Sequence, residues 1–163
     1  MTESRSEAPA AGPPAQAVRD MIEASHYLVL ATADAGGRPW SSPVYFAHID
    51  FTEFFWVSSP DVTHSRNIAV RPEVGIAIFD SHAPIGTGQG VYMSATAKLL
   101  EDEETGRGID AFSRRSVLHG GLQWRSEDVR SGAGLRLYQA IADARWMLAK
   151  DGRPDHRVPV PLA

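Results

Sequence analysis

The run Ser58-Ser59-Pro60-Asp61-Val62-Thr63-His64-Ser65-Arg66-Asn67 sets hydroxyls, an imidazole and a guanidinium where an apolar strand gives way to a helix start. A phosphate dianion needs a dense donor set of this kind, and the dipole at a helix N-terminus adds to it. The same residues also read as plain capping, with Ser59 or Asp61 as the cap, Pro60 in the first turn, and His64 and Arg66 in solvent. Both readings stay open on the residues alone. Gly86-Thr87-Gly88-Gln89-Gly90 has the look of a dinucleotide loop. Such a loop must follow a strand and open a helix, whereas these glycines precede a strand, so they read as an inter-strand loop. His26, His48, His64, His82, His119 and His156 share no paired-ligand spacing, so no metal site is expected. No GxSxG elbow supports a nucleophilic triad.

The elements that must carry these residues are legible from period and punctuation. Val18, Met21 and Ile22 share a helical face, which predicts a helix over 16–25. YLVLATA (27–33) is a strand, and Asp34-Ala35-Gly36-Gly37 turns the chain back. A long strand runs from Trp40 to Ile49, with Pro43 placing it at an edge or bulge. Further strands are expected over 54–58, 74–79, 90–100 and 135–148, with helices from Pro60 to Val70 and over 102–118, the latter facing inward through Ile109, Phe112 and Val117. Gly120-Gly121 breaks the chain, and Ser126-Glu127-Asp128 can cap one short turn. The fold class is therefore mainly β (α+β): a six-stranded antiparallel split β-barrel with peripheral helices. Residues 1–16 lack large apolar side chains after Met1 and read as a disordered tail, 17–150 as the barrel domain, and 151–163 as an irregular C-terminal tail in which Val158, Val160 and Leu162 alternate.

Composition bounds the function. The 163 residues suffice for one core, and 43% apolar with 22% charged residues is an ordinary globular balance. The net charge of -4 and the lack of a basic run argue against a nucleic-acid partner. With no cysteine, disulfides, thiol catalysis and thiolate metal sites are excluded. Of the 16 basic residues only Lys98 and Lys150 are lysines, so a bound phosphate would be held by Arg, hydroxyls, His and backbone N–H groups. No stretch reaches the length of a membrane helix and no signal region precedes the domain, so a cytoplasmic protein with no membrane association is expected. Aromatics on outward strand positions point to a second subunit or a flat ligand.

Three blocks, YLVLATADAGGRPWSSPVYFAHID, FFWVSSPDVTHSRNIAVRPEVGIAIFD and GQGVYMSATAKLLE, in this order and spacing, resemble the pyridoxamine 5'-phosphate oxidase-like FMN-binding split-barrel family over about residues 17–148. The middle block is the most specific. The resemblance implies a homodimer with one FMN per subunit at the interface, acting as a flavin-dependent oxidoreductase on a small-molecule substrate. It places the cofactor contacts at Ser42, Val44 and Tyr45, then Val57 and Ser58, then Thr63, His64 and Arg66, with Gln89 at the polar edge of the ring. In that reading the backbone of 44–46 lines the ring, and no protein acid or base is assigned as catalytic.

The chain also departs from the family pattern. Ser42 and Ala47 stand where Arg or Lys is usual, and Thr63-His64 replaces two strong bases. Arg66 or Arg38 is positioned to supply the missing charge. Around the last strand the chain reads SGAGLRLYQ, with Arg136 but without the His of the vitamin-processing enzymes, which argues against a pyridoxamine phosphate oxidase proper. Two alternatives accompany FMN: a deazaflavin-dependent reductase, and a non-enzymatic flavin- or haem-binding split barrel. Residues 81–90 and 119–134 are the loops expected to shape the pocket.

Overall fold

A computed structural model describes residues 14–162. Helix α1 (Pro14–Ala24) leads into strands β1 (Tyr27–Ala33), β2 (Pro39–Tyr45), β3 (Ala47–Ile49) and β4 (Glu53–Ser58). Helix α2 (Thr63–Val70), strands β5 (Glu73–Phe79) and β6 (Gly90–Leu99), and helix α3 (Thr105–Leu118) follow. The chain closes with β7 (Arg136–Leu148) and β8 (Arg157–Pro159). All neighbouring strands pair antiparallel, in the order β2-β1-β5-β6-β7-β4-β3, with β8 beside β7.

The two ends of that order, β2 and β3, are separated in sequence by Phe46 alone. One bend in a single stretch of chain therefore brings both sheet edges together, and the sheet curls into a half-barrel. The bend splits the strand expected over 40–49 into two. With β8 added, the expected six strands become eight. Phe46 is fully buried at the bend, which drives the turn inward. Pro43 sits in β2, an edge strand, where its missing N–H costs no ladder bond.

Strand β4 shows why three consecutive aromatics are tolerated. Phe54 and Trp56 point into the barrel with Phe46, Leu28, Leu30 and Ile78. Phe55 points the other way, into a second cluster with Ile109, Phe112 and Leu137 beneath α3. Both faces of β4 are thus covered. Gly108 lets α3 approach: a Cβ there would stand 2.6 Å from the Phe55 ring. Val117, expected to face inward, is 54% exposed, because the buried stripe of α3 runs instead through Ile109, Phe112, Arg115 and Ser116.

Other boundaries shift for local reasons. Helix α1 starts at Pro14, whose fixed φ suits a first turn, so three residues of the expected tail are helical; the rest of that tail lies outside the described residues. In the expected irregular C-terminal tail, β8 pairs with β7 and Val160 is buried in the core. Helix α2 begins at Thr63, later than expected, behind an extended Val62 that offers no side-chain cap. The expected cap Ser59 instead accepts the Asp61 N–H one turn earlier.

Arg115 joins these parts. Its guanidinium donates to the carbonyls of Ile22, Glu23 and Ser25 at the end of α1 and to the Glu23 carboxylate. It also stands 5.1 Å over the Phe46 ring. Desolvation raises the Glu23 pKa, but the bonds from Arg115 and His48 outweigh it and hold the carboxyl below its ordinary range. Replacing Arg115 with Met would leave three helix-end carbonyls without donors. Urea denaturation is expected to show a loss of roughly 3 kcal/mol for Arg115→Met. Glu23→Gln, at a largely exposed carboxylate, is expected to cost less than about 1 kcal/mol.

Candidate functional site

The bend at Phe46, the end of β4 and the start of α2 converge on one cleft of about 430 Å³. Pro43, Val44 and Tyr45 come from β2, and Val57 and Ser58 from β4. His64 comes from the first turn of α2. Phe112 and Ser116 of α3 form the opposite wall, which Leu122, Trp124 and Leu135 continue outward.

Position by position, β2 turns Val44 into the core at 7% exposure and leaves Ser42 and Tyr45 half-buried. Ser58 is the last residue of β4. His64 is buried, and its ring bridges two hydroxyls: Nε2 lies 2.9 Å from Ser58 Oγ, and Nδ1 lies 3.2 Å from Ser42 Oγ. The Trp40 indole N–H donates to Ser42 Oγ at 3.0 Å. A hydrogen-bonded chain thus runs Trp40–Ser42–His64–Ser58. Burial holds the His64 imidazole below its ordinary value of 6.5, so it is chiefly neutral at neutral pH.

Thr63 opens into a second, smaller pocket of about 230 Å³, lined also by Asp34, Arg38, Trp40 and Asn67. Trp40 borders this pocket and His64 the cleft, so the chain of bonds divides the two. Asn67 Nδ2 donates to the buried Thr32 Oγ1 and ties α2 to β1. The turn that carries Arg38 is held by the Asp34 carboxylate, which accepts the N–H groups of Gly36 and Arg38, each at 2.9 Å.

Two of the residues expected at the site stand apart from it. Arg66 is exposed on α2 and lines neither pocket. The Gln89 amide works at the seam of β6 and β7: its Nε2 donates to Leu148 O, and its Oε1 accepts the N–H groups of Gly90 and Leu148. The other seven gather around the cleft and its neighbouring pocket.

The outer wall follows from the end of α3. His119 caps the helix and Gly120 takes φ +80°. Gly121 N–H donates to Ser116 O, and Gly120 N–H to Val117 O, the paired bonds of a Schellman motif. Ser113 Oγ then accepts the Trp124 N–H at 2.8 Å, which fixes the Trp124 ring edge-on to Phe112. Of the segment 119–134, Leu122 and Trp124 line this cleft, while Ser81 and His82 border a different depression on the far side of Pro43.

A cluster at the rim went unread in the sequence. Tyr45 Oη lies 2.8 Å from His119 Nδ1, and the His26 and His119 rings stack at 4.0 Å. Desolvation, then the neighbouring His26 and Arg115, lowers the His119 pKa. Desolvation raises that of Tyr45, which keeps its phenol protonated. These residues are far apart in sequence and no local pattern links them.

Among the described residues, no lysine, arginine, aspartate or glutamate lines the cleft. Arg136, a candidate ligand in the sequence, is engaged elsewhere: it donates to Val129 O and Leu100 O and lies 3.5 Å from Asp102. Among the described residues there is no cluster of three or more metal-ligating side chains, and no helix is long and apolar enough to cross a membrane.

This architecture, an antiparallel sheet curled to a half-barrel with a cleft between its edge strand and a covering helix, is that of the split-barrel proteins. A family model described as pyridoxamine 5'-phosphate oxidase matches residues 14–135, and the chain belongs to that family. Solved structures with the same fold include the haem storage protein HutZ of Vibrio cholerae, 20% identical, with 78% of this chain and 89% of that one covered and a TM-score of 0.62. An F420 reductase is 17% identical, with 78% and 94% covered and a TM-score of 0.57. General stress protein 26 of Bacillus anthracis is 16% identical, with 89% and 97% covered and a TM-score of 0.60. No curated protein matches the chain.

The buried imidazole makes stability depend on pH. His64 binds its proton more weakly in the folded protein than in the unfolded chain, so its contribution is complete above about pH 6.5 and is lost as the pH falls below that. Urea midpoints are expected to fall between pH 8 and pH 5.5, and to fall less in His64→Gln, in which His48 and His119 still titrate.

Proposed function

We infer that the cleft binds FMN and that the protein is an FMN-dependent oxidoreductase whose flavin ring lies against the Val44–Tyr45 edge. The observation that carries this reading is the junction of two unlike pockets across one hydrogen-bonded chain. The larger pocket is apolar and aromatic, with Ser58 and His64 as its polar groups, and suits a fused ring. The smaller offers the Arg38 guanidinium and the Thr63 hydroxyl at the uncapped start of α2, with its Asp34 carboxylate engaged by the N–H groups of Gly36 and Arg38, and on those donors we assign it the phosphate. The donor set therefore fits FMN, with Ser42 and Ser58 near the ribityl chain. Bound flavin would supply hydride or electron transfer. The chain's own residues orient the ring, keep water from its buried side and hold the phosphate.

The same reading has two copies of the chain meet at the sheet. The outward residues Val29 and Ala31 of β1 and Gly75 and Ala77 of β5 are uncharged, and Tyr27 and Phe79 beside them are 60% and 52% exposed. A surface of this kind suits a homodimer interface. A second reading, haem, draws on the charge-free cleft and on His119, whose ring is oriented by Tyr45 next to the cleft. A deazaflavin with a longer anionic tail finds little support, since among the described residues Arg38 is the one cation bordering the two pockets.

Purified protein is expected to show the paired visible bands of oxidised flavin and to release a molecule with the mass of FMN on heating; a Soret band would replace the flavin reading with haem. Arg38→Ala and Thr63→Ala are each expected to weaken FMN about tenfold, the loss of one charge-assisted bond, with Arg66→Ala close to wild type. Sedimentation is expected to give the mass of a dimer.

A further inference from the structure

We propose that the pocket between α2 and the end of β6 is a binding site for a small uncharged phenol, a single aromatic ring bearing a hydroxyl. Flavin at the cleft is not required for it. The pocket, of about 330 Å³, shares no residue with the cleft or with the smaller pocket beside Thr63. It also shares none with the outward residues of β1 and β5 assigned to the second copy.

Helix packing leaves the space. Ser65, Ile68 and Ala69 stand three and four residues apart on one face of α2. They line the pocket with Ala97, Lys98 and Leu99 of β6 and with Tyr138 of β7, which pairs with Leu99. Pro60 before the helix and Pro72 after it complete the wall. Both sides are tied to the sheet: Ala97 N–H donates to Pro72 O at 2.8 Å, and Asn67 of α2 donates to Thr32 at 3.0 Å. The small side chains of Ala69 and Ala97 leave the volume between them open.

The pocket holds an unsatisfied polar group. Ser65 is 3% exposed, and its Oγ has no hydrogen-bond partner, not even the helix carbonyl one turn back. A buried hydroxyl in this state is disfavoured unless an occupant bonds to it. The Trp56 indole N–H, on the ring stacked against Tyr138, is orphaned as well, so the polar deficit gathers at this end of the barrel. Charge and shape then select the occupant. Among the described residues Lys98 is the one charged side chain in the lining, and Glu104 already pairs with its ammonium at 2.6 Å. The rest is apolar apart from Ser65 and the Tyr138 phenol. Tyr138, held 12° from parallel to Trp56 at 5.8 Å, and the rings of Pro60 and Pro72 offer flat walls. A phenol sets its ring among these walls and donates its O–H to Ser65 Oγ.

The test is an amide NMR titration of the full chain, with and without saturating FMN, against phenol, benzene, cyclohexanol and benzoate. Phenol is expected to shift the amides of 65–69 and 97–99 and to bind about fivefold more tightly than benzene, the worth of one neutral hydrogen bond. Cyclohexanol, which loses the flat ring, and benzoate, which gains a charge, are each expected to bind about threefold or more weakly than phenol. In Ser65→Ala, phenol affinity is expected to fall to that of benzene, with benzene itself within about twofold of its wild-type value. Ala69→Phe, at an exposed edge of the pocket, is expected to weaken both ligands about fivefold or more, and serves should Ser65→Ala lose its dispersed spectrum. A phenol preference that is absent, or that survives in Ser65→Ala, overturns the proposal. So does cyclohexanol or benzoate equal to phenol, or no shift at all, with water then the only occupant. Shifts confined to 42–45 and 57–58, or abolished by FMN, overturn it as well, because the phenol would then sit in the cleft. An Ala69→Phe protein whose native mass drops from dimer to monomer also overturns it, because the second copy would then cover the pocket.

Discussion

A guanidinium withdrawn from water must find acceptors, and Arg115 finds them at the end of α1. Its bonds to Ile22, Glu23 and Ser25 carbonyls fix where α3 lies against α1, and its position over Phe46 ties both helices to the bend that joins β2 to β3. The cleft depends on all three elements. The bend presents Val44 and Tyr45, α3 presents Phe112 and Ser116, and the end of α3 sets the direction of the Leu122–Trp124 wall. His26, which follows the clamped end of α1, is brought by the same contact onto His119.

The distribution of charge is the second constraint. Arginines near the cleft are spent on holding loops and helix ends, and the imidazole at its floor is held neutral by burial. What remains is a cleft whose polar groups are hydroxyls, a phenol and a neutral ring, able to orient a ligand but not to balance a charge within it. Among the described residues a cation returns across the Trp40–Ser42–His64–Ser58 chain, where Arg38 and Thr63 border the smaller pocket. The site is polarised: an apolar slot on one side of a hydrogen-bonded divide and a pocket bordered by both Arg38 and Asp34 on the other.

Family membership does not by itself choose the chemistry. Structures sharing this fold carry names as different as a haem storage protein and an F420 reductase. The half-barrel supplies an edge strand beside a helix start, and the chemistry depends on which side chains fill the two pockets. Here Ser42 and Thr63-His64 occupy places that hold stronger bases in the pattern this chain resembles, and the structure answers with hydroxyl–imidazole bonds where ion pairs would otherwise form.

Period and punctuation determined the β-rich class, most strands, the helix stop before Pro72 and the chain break at Gly120-Gly121, because these follow from contacts a few residues apart. The same local signals singled out Ser58, Thr63 and His64 at a strand end and a helix start, whereas Ser42, Val44, Tyr45 and Val57 were placed beside them by the resemblance to the family and not by local pattern. Arg115 left one trace, three residues beyond Phe112 on the inward stripe of α3, but a sequence does not say that a charged residue on that stripe finds three carbonyls. Tertiary structure alone decided the split at Phe46, which is set by core packing, and the removal of Gln89 to the β6–β7 seam, which is set by pairing across 59 residues. It alone decided the meeting of Tyr45, His26 and His119, and the commitment of Arg136 to loop carbonyls. Each of these depends on a partner distant in the chain, and only the folded sheet brings such partners within bonding distance.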